Sequence, residues 1–295
     1  MPFFRLLTRG AGVTVFLLAV LAGGHEAAMA RASRRTRDIA YVPATEPGFD
    51  THRHRLDVYA PKHRTGPLPV VVFLHGGNWD SGNKNLYTFI GRRLAKQGYV
   101  AVIVNYRLSP AVEVPAMADD CARAVLWTQQ HIADYGGDPA RLFLLGHSAG
   151  GGLAALLATD DSLFARHGQP RNPVRGTVLD DAAGLNMYTY LQKLDYAGDE
   201  QYLIPFGRDP AQWRRVSAYY HLRAGQAPFL IFLGGETYPS IKKVGHEFQR
   251  RLQQVGNPAE LTVIAGRHHV PMVLQLYFSG NIIYRKLREM VAKAG

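Results

Sequence analysis

The chain has 295 residues, 47% hydrophobic and 19% charged, with 30 Gly, 17 Pro and one Cys. That apolar content, with Gly and Pro scattered, excludes a disordered or collagen-like chain, and a lone Cys excludes a disulfide framework and zinc sites built on paired thiolates. Lys and Arg total 34 against 23 Asp and Glu, a net charge of +11, which raises nucleic acid and membrane surfaces as partners to be tested.

Residues 1–30 read as a targeting segment. Arg5 and Arg9 precede an uncharged run at 10–24, and Ala28-Met29-Ala30 is a small-x-small cleavage site. The run is shorter than the ~20 residues that span a bilayer, so the expectation is export to a periplasm or the outside, with no stable membrane anchor. Removing residues 1–30 takes away two Arg and one Glu and leaves +10. Residues 31–53 form an N-terminal segment, and 54–295 the main domain.

From there, short apolar runs alternate with amphipathic ones. Strands are expected at 55–60 (RLDVYA), 69–75 (PVVVFLH), 99–106 (YVAVIVNY) and 141–147 (RLFLLGH), then at 174–179, 227–233 and 260–265. Helices are expected at 84–97, at 115–135 up to the breaker Gly136-Gly137-Asp138-Pro139, at 149–158, and at about 240–255 and 272–293. Cys121 falls on the second of these, as a small buried apolar residue. This alternation predicts an α/β class: a mostly parallel central sheet with helices on both faces. Residues 182–225 contain no strand pattern and concentrate Tyr and Trp. They read as a helical, cap-like insertion over the carboxyl ends of the strands.

Gly146-His147-Ser148-Ala149-Gly150 matches G-x-S-x-G between a strand and a small-residue helix. That context puts a serine hydroxyl on a sharp exposed turn, above the positive end of a helix. His147 is adjacent, but its side chain should point away from the serine and pack beside it. Acyl transfer also needs backbone N–H groups aimed at the developing oxyanion. Ala149 supplies one, and the loop His75-Gly76-Gly77-Asn78-Trp79 supplies the rest: Gly77 as the main donor, Gly76 shaping the loop and Asn78 as an additional donor.

A base and an orienting acid should follow in the order acid, then His. His269 is the favoured base because Val270 starts packing into the final helix; His268 is the alternative. Glu236, after the 227–233 strand, is the favoured acid, and Asp180 or Asp181 the alternatives. The basic residues are spread along the chain without a nucleic-acid motif, so a solvated surface and no nucleic-acid partner are expected.

Through His75-Gly76-Gly77-Asn78-Trp79, Tyr135-Gly136-Gly137-Asp138-Pro139-Ala140-Arg141 and Gly146-His147-Ser148-Ala149-Gly150-Gly151, the chain resembles the α/β-hydrolase superfamily over about residues 54–293. Within it the resemblance is to the esterase/lipase group with a His-Gly-Gly oxyanion motif, which includes isoprenylcysteine methylesterases and kynurenine formamidases. It implies a Ser–acid–His triad acting on a small-molecule ester, without cofactor or metal, or an aryl-formamidase using the same parts. One departure stands out. The group usually places its acid two or three residues after the glycine of the acid loop, where this chain has Thr237 and Tyr238, with Glu236 a step early. If the loop aligns without a shift, Asp180 or Asp181 takes the acid's place.

Overall fold

In a computed structural model that describes residues 33–195 and 198–294, eight strands form one sheet. They are β1 (Ser33–Ala40), β2 (Arg55–Pro61), β3 (Leu68–Leu74), β4 (Val100–Val104), β5 (Gly137–His147), β6 (Val174–Asp180), β7 (Phe229–Gly234) and β8 (Ala259–Ile264), in the spatial order β1-β2-β4-β3-β5-β6-β7-β8. The pairs β1–β2 and β2–β4 are antiparallel and every later pair is parallel. The predicted leader at 1–30 lies outside the described residues.

The central strands are continuous apolar runs because both faces are covered. Against one face pack α2 (Val114–His131), α3 (Ala149–Thr159) and α4 (Pro239–Gln254), and their buried side chains join those of the alternate strand positions Val70, Val72 and Leu74. Against the other pack α1 (Thr88–Lys96), α5 (His269–Leu274) and α6 (Ile282–Lys293), around Val71, Phe73, Phe143 and Leu145. Cys121 is buried within the first layer.

Three expectations are corrected. The predicted 272–293 helix is two helices, α5 and α6, interrupted around Ser279-Gly280; Asn281 caps the second by accepting from the Tyr284 N–H. Strand β5 starts at Gly137, inside the predicted breaker, because Gly137 already pairs with Leu68 of β3. Strand β1 was not foreseen at all. Its sequence SRRTRDIA has no apolar alternation, and charge pairing fastens it instead. The fully buried Asp57 carboxylate on β2 accepts from Arg35 Nε (3.0 Å), Lys84 Nζ (2.8 Å) and the Asp38 N–H (2.9 Å), while Lys84 also pairs with Asp38.

Among the described residues of 182–225 there is no strand; the chain there includes short helices, among them Met187–Lys193 and Pro210–Arg215. The first turn of Met187–Lys193 and the residues just before it, with Leu185, Asn186, Met187 and Tyr190, form a wall of the cavity described next. Among the described residues, no helix is long and apolar enough to cross a membrane.

Candidate active site

The carboxyl ends of β3, β5, β6 and β7 converge at one cavity, the position where open parallel sheets place their ligands. β5 ends at His147, and Ser148 follows in a left-handed conformation (φ 54°, ψ −124°) before α3 begins at Ala149. A non-glycine residue there is strained, and the surroundings hold it. The Ser148 N–H donates to the Asp180 carbonyl (3.2 Å), and its own carbonyl accepts from Gly151 (2.9 Å) and Ala183 (3.0 Å). The two flanking glycines are sterically required. A Cβ on Gly146 would lie 2.3 Å from the Gly150 carbonyl oxygen, and one on Gly150 2.2 Å from that of Leu74.

Ser148 Oγ lies 2.8 Å from His269 Nε2, and His269 Nδ1 lies 2.6 Å from an oxygen of Asp181. Asp181 is fully buried. It sits one residue past the end of β6, in a left-handed turn (φ 51°), with its N–H donating to the Phe232 carbonyl (2.8 Å). Its other oxygen accepts from the Gly234 N–H (2.9 Å), and Thr237 Oγ1 donates to the oxygen that faces His269. Three donors hold the carboxylate in a fixed orientation.

The structure therefore brings together Ser148, His269 and Asp181, not Glu236. The Glu236 carboxylate swings outward and pairs with His268 Nε2 (2.8 Å) on the surface, both side chains being more than half exposed. Thr237, which stands where the resembled group carries its acid, turns its hydroxyl in to support Asp181 from the neighbouring strand end. His268, the alternative base, is thereby placed away from Ser148. Asp180 is also excluded as a partner of His269. Successive strand residues face opposite sides, and its carboxyl is buried in contact with neither histidine.

Burial, together with the charge of Asp181, pushes the Asp180 carboxyl well above its usual range, which favours its neutral form in the folded chain. In the unfolded chain it ionises near pH 3.8. The folded state thus holds a proton that unfolding releases, and this group costs stability progressively as pH rises above about 4. Asp180→Asn, of nearly the same shape and with no proton to hold, is expected to raise Tm more at pH 8 than at pH 5 and to leave kcat unchanged. Thermal melts at the two pH values check it.

The oxyanion side is built by the loop after β3. Gly77 (φ 128°) and the left-handed Asn78 and Trp79 bend it over Ser148, and a Cβ on Gly76 would lie 2.9 Å from the Ser148 Cβ. Among the described residues, the N–H groups of Gly77, Asn78 and Ala149 make no hydrogen bond. Their donors remain available for a ligand oxygen. His75 steadies the loop from beneath. Its ring stacks on Tyr106 (4.4 Å) and donates from Nδ1 to the Gly76 carbonyl (2.8 Å), and burial lowers its pKa to about 4.

The cavity above Ser148 measures about 710 Å³. Trp79, Tyr87, Tyr190, Tyr202 and Tyr238 wall it, and among the described residues no Lys or Arg lines it. One buried carboxylate, Asp199, lies in the wall and accepts from the Tyr190 hydroxyl (2.7 Å). A second cavity of about 910 Å³ opens at the other end of the strands, far from Ser148. Its Arg223 and Lys286 are paired with Asp161 and Glu260. Among the described residues, no group of three or more His, Cys, Asp or Glu side chains is placed to hold a metal ion.

The sequence profile of the BD-FAE family matches residues 56–242, the stretch from β2 into α4 that carries Ser148 and Asp181. The chain belongs to the BD-FAE family. Beside its family membership, the chain is 43% identical over 243 residues to a probable isoprenylcysteine alpha-carbonyl methylesterase of Oryza sativa subsp. japonica, covering 76% of this chain and 56% of that one. It is 22% identical to the kynurenine formamidase of Danio rerio, covering 92% and 89%. This BD-FAE chain spans between about half and two thirds of the length of three plant methylesterases it matches. Among solved structures it is similar to esterase B from Lactobacillus rhamnosis, with a TM-score of 0.73, 21% identity and coverage of 96% and 94%, a likeness of fold. The α/β-hydrolase fold expected of the BD-FAE chain is the one observed.

Proposed function

We propose that the protein hydrolyses carboxylic esters through an acyl-enzyme on Ser148. The observation that carries this reading is the continuous hydrogen-bonded line Ser148 Oγ–His269 Nε2–His269 Nδ1–Asp181, at 2.8 and 2.6 Å, with the serine facing an aromatic cavity. Family membership and the esterases among its relatives support it.

Ser148 Oγ attacks the acyl carbon as His269 Nε2 takes its proton, and the carbonyl π pair moves to oxygen, where the Gly77 and Ala149 N–H groups receive it. Asp181 keeps the imidazole protonated at Nδ1 and stabilises the imidazolium that forms. Collapse expels the alkoxide, which takes the proton from His269. Water then repeats the sequence on the acyl-enzyme, with His269 as base, and releases the acid and free Ser148. Export of the mature chain after cleavage at Ala30 is part of the proposal, resting on residues 1–30.

A second reading, hydrolysis of aryl formamides, uses the same groups and is favoured by the match to the formamidase along nearly its whole length. A panel of p-nitrophenyl acyl esters against formyl anilides separates the two. Ester turnover with anilides left intact is the expected result; the reverse would transfer the assignment to the amidase. Within the panel the cavity wall makes a further prediction. With an aromatic wall that, among the described residues, presents no Lys or Arg to a negative charge, a succinyl ester should show kcat/KM at least about tenfold below the butyryl ester, ~1.4 kcal/mol of unfavourable charge desolvation.

A further inference from the structure

The loop leading to the base, residues 265–268, is exposed. It is tied to the turn after β7 by the Glu236 N–H, which donates to the Arg267 carbonyl (3.0 Å), and by His268 Nδ1, 3.1 Å from the Glu236 carbonyl oxygen. His269 then opens a helix of only six residues whose N-cap, His268, makes no side-chain capping hydrogen bond. Asp181 orients the ring through Nδ1, but nothing in that contact fixes the backbone from which the ring hangs. A side-chain tie to the backbone of the base itself comes from the residue before Ser148. His147 closes β5 in register with Asp180, and its side chain is buried beneath the cavity. Its Nε2 lies 3.2 Å from the His269 carbonyl oxygen, and the two imidazoles lie with centroids 4.8 Å apart at 31°.

A carbonyl only accepts, so His147 Nε2 must carry the hydrogen. Its Nδ1 then holds a lone pair; this atom is buried without a hydrogen-bond partner among the described residues, and a Cβ on Gly76 would lie 3.0 Å from it. One ring thus touches the strand before Ser148, the oxyanion loop and the backbone of the base. We propose that His147 is a positioning residue: as the neutral Nε2–H tautomer it clamps the His269 carbonyl and fixes the base at hydrogen-bonding distance from Ser148. The inference rests on the triad reading given above.

Neutrality is essential to the role, since an adjacent ring that could take a proton would compete with the base. Desolvation, with His269 alongside, lowers the pKa of His147 to about 3, so it stays uncharged wherever the base is active.

Two near-isosteric substitutions separate the hydrogen bond from the packing. Gln places an amide donor where Nε2 stands; Met fills the same space without one. His147→Met is expected to lower kcat on a p-nitrophenyl ester by about 10- to 100-fold, with KM within about twofold, while His147→Gln stays within about threefold of the parent and melts at a similar temperature. Equal kcat for the two variants, or losses that simply follow Tm, would overturn the clamp. A measurement on the unaltered protein stands beside them: ¹⁵N spectra of its imidazoles should show His147 neutral and protonated at Nε2 at pH 7. A ring protonated at Nδ1, or charged, sinks the proposal whatever the variants do. Failure of the hydrolase reading itself would appear elsewhere, as activity retained by Ser148→Ala.

Discussion

Ser148→Ala is expected to lower kcat for ester hydrolysis by about 10⁶, roughly 8 kcal/mol of barrier, while leaving the fold and Tm nearly unchanged. The substitution removes one oxygen. What it takes away is the covalent route: without Oγ the acyl group has no acceptor, and His269 has no hydroxyl to deprotonate. The N–H donors of Gly77 and Ala149 remain, so a residual rate above water is expected from direct attack on a bound ester. The strained φ of 54° at position 148 is not relieved by Ala, because it is set by the backbone bonds of Ser148 to Asp180, Gly151 and Ala183. Melting temperature is thus a fair control. A fluorophosphonate should label the parent at Ser148 and fail to label the variant. Full activity in Ser148→Ala would remove the nucleophile and with it the whole mechanism.

Asp181→Asn is the second large effect: a loss of about 10⁴ in kcat, near 5.5 kcal/mol. The carboxylate is required as an acceptor on every side. His269 Nδ1, the Gly234 N–H and the Thr237 hydroxyl all donate to it, whereas an amide has one acceptor oxygen and an NH₂ group. Wherever the NH₂ turns it meets a donor, and turned toward His269 it selects the tautomer with hydrogen on Nε2, which cannot take the serine proton. Glu236→Ala, by contrast, removes only a surface pair with His268. It should leave kcat within about threefold, since exposed pairs contribute little. Steady-state kinetics on the two variants decides between them. A large loss at Glu236 with none at Asp181 would reverse the correction made by the geometry.

That correction marks where local sequence stops being informative. Gly146, Ser148 and Gly150 act within five consecutive residues, and the requirement that two backbones approach to within a Cβ's width is written in the glycines themselves. His269 was legible by its place between the last strand and the last helices, although Val270, whose expected packing favoured it over His268, is exposed. The acid was not legible in the same way. Glu236 has the right chain position, but backbone geometry points it outward, and the adjacent Thr237 enters the site in its place. Between Asp180 and Asp181, a shift of one residue decides which face of the sheet the carboxylate meets. That parity depends on where β6 ends, which no propensity fixes to within one residue. β1 was hidden for another reason. It is held by Asp57 and Lys84, which lie far along the chain, rather than by a pattern of its own.

The sheet itself sets the distance between nucleophile and acid. Ser148 follows β5 and Asp181 follows β6; these strands are hydrogen-bonded neighbours, and the Ser148 N–H is bonded to the carbonyl of the residue before Asp181. The separation is therefore a repeat distance of a rigid lattice of peptide groups. The cavity walls at 185–190, 199–202 and 238–244 belong to helices and turns outside that lattice. For the proposed hydrolase this decouples the proton-transfer geometry from the substrate walls: the walls can drift in sequence and shape without altering the spacing of Ser148 and Asp181.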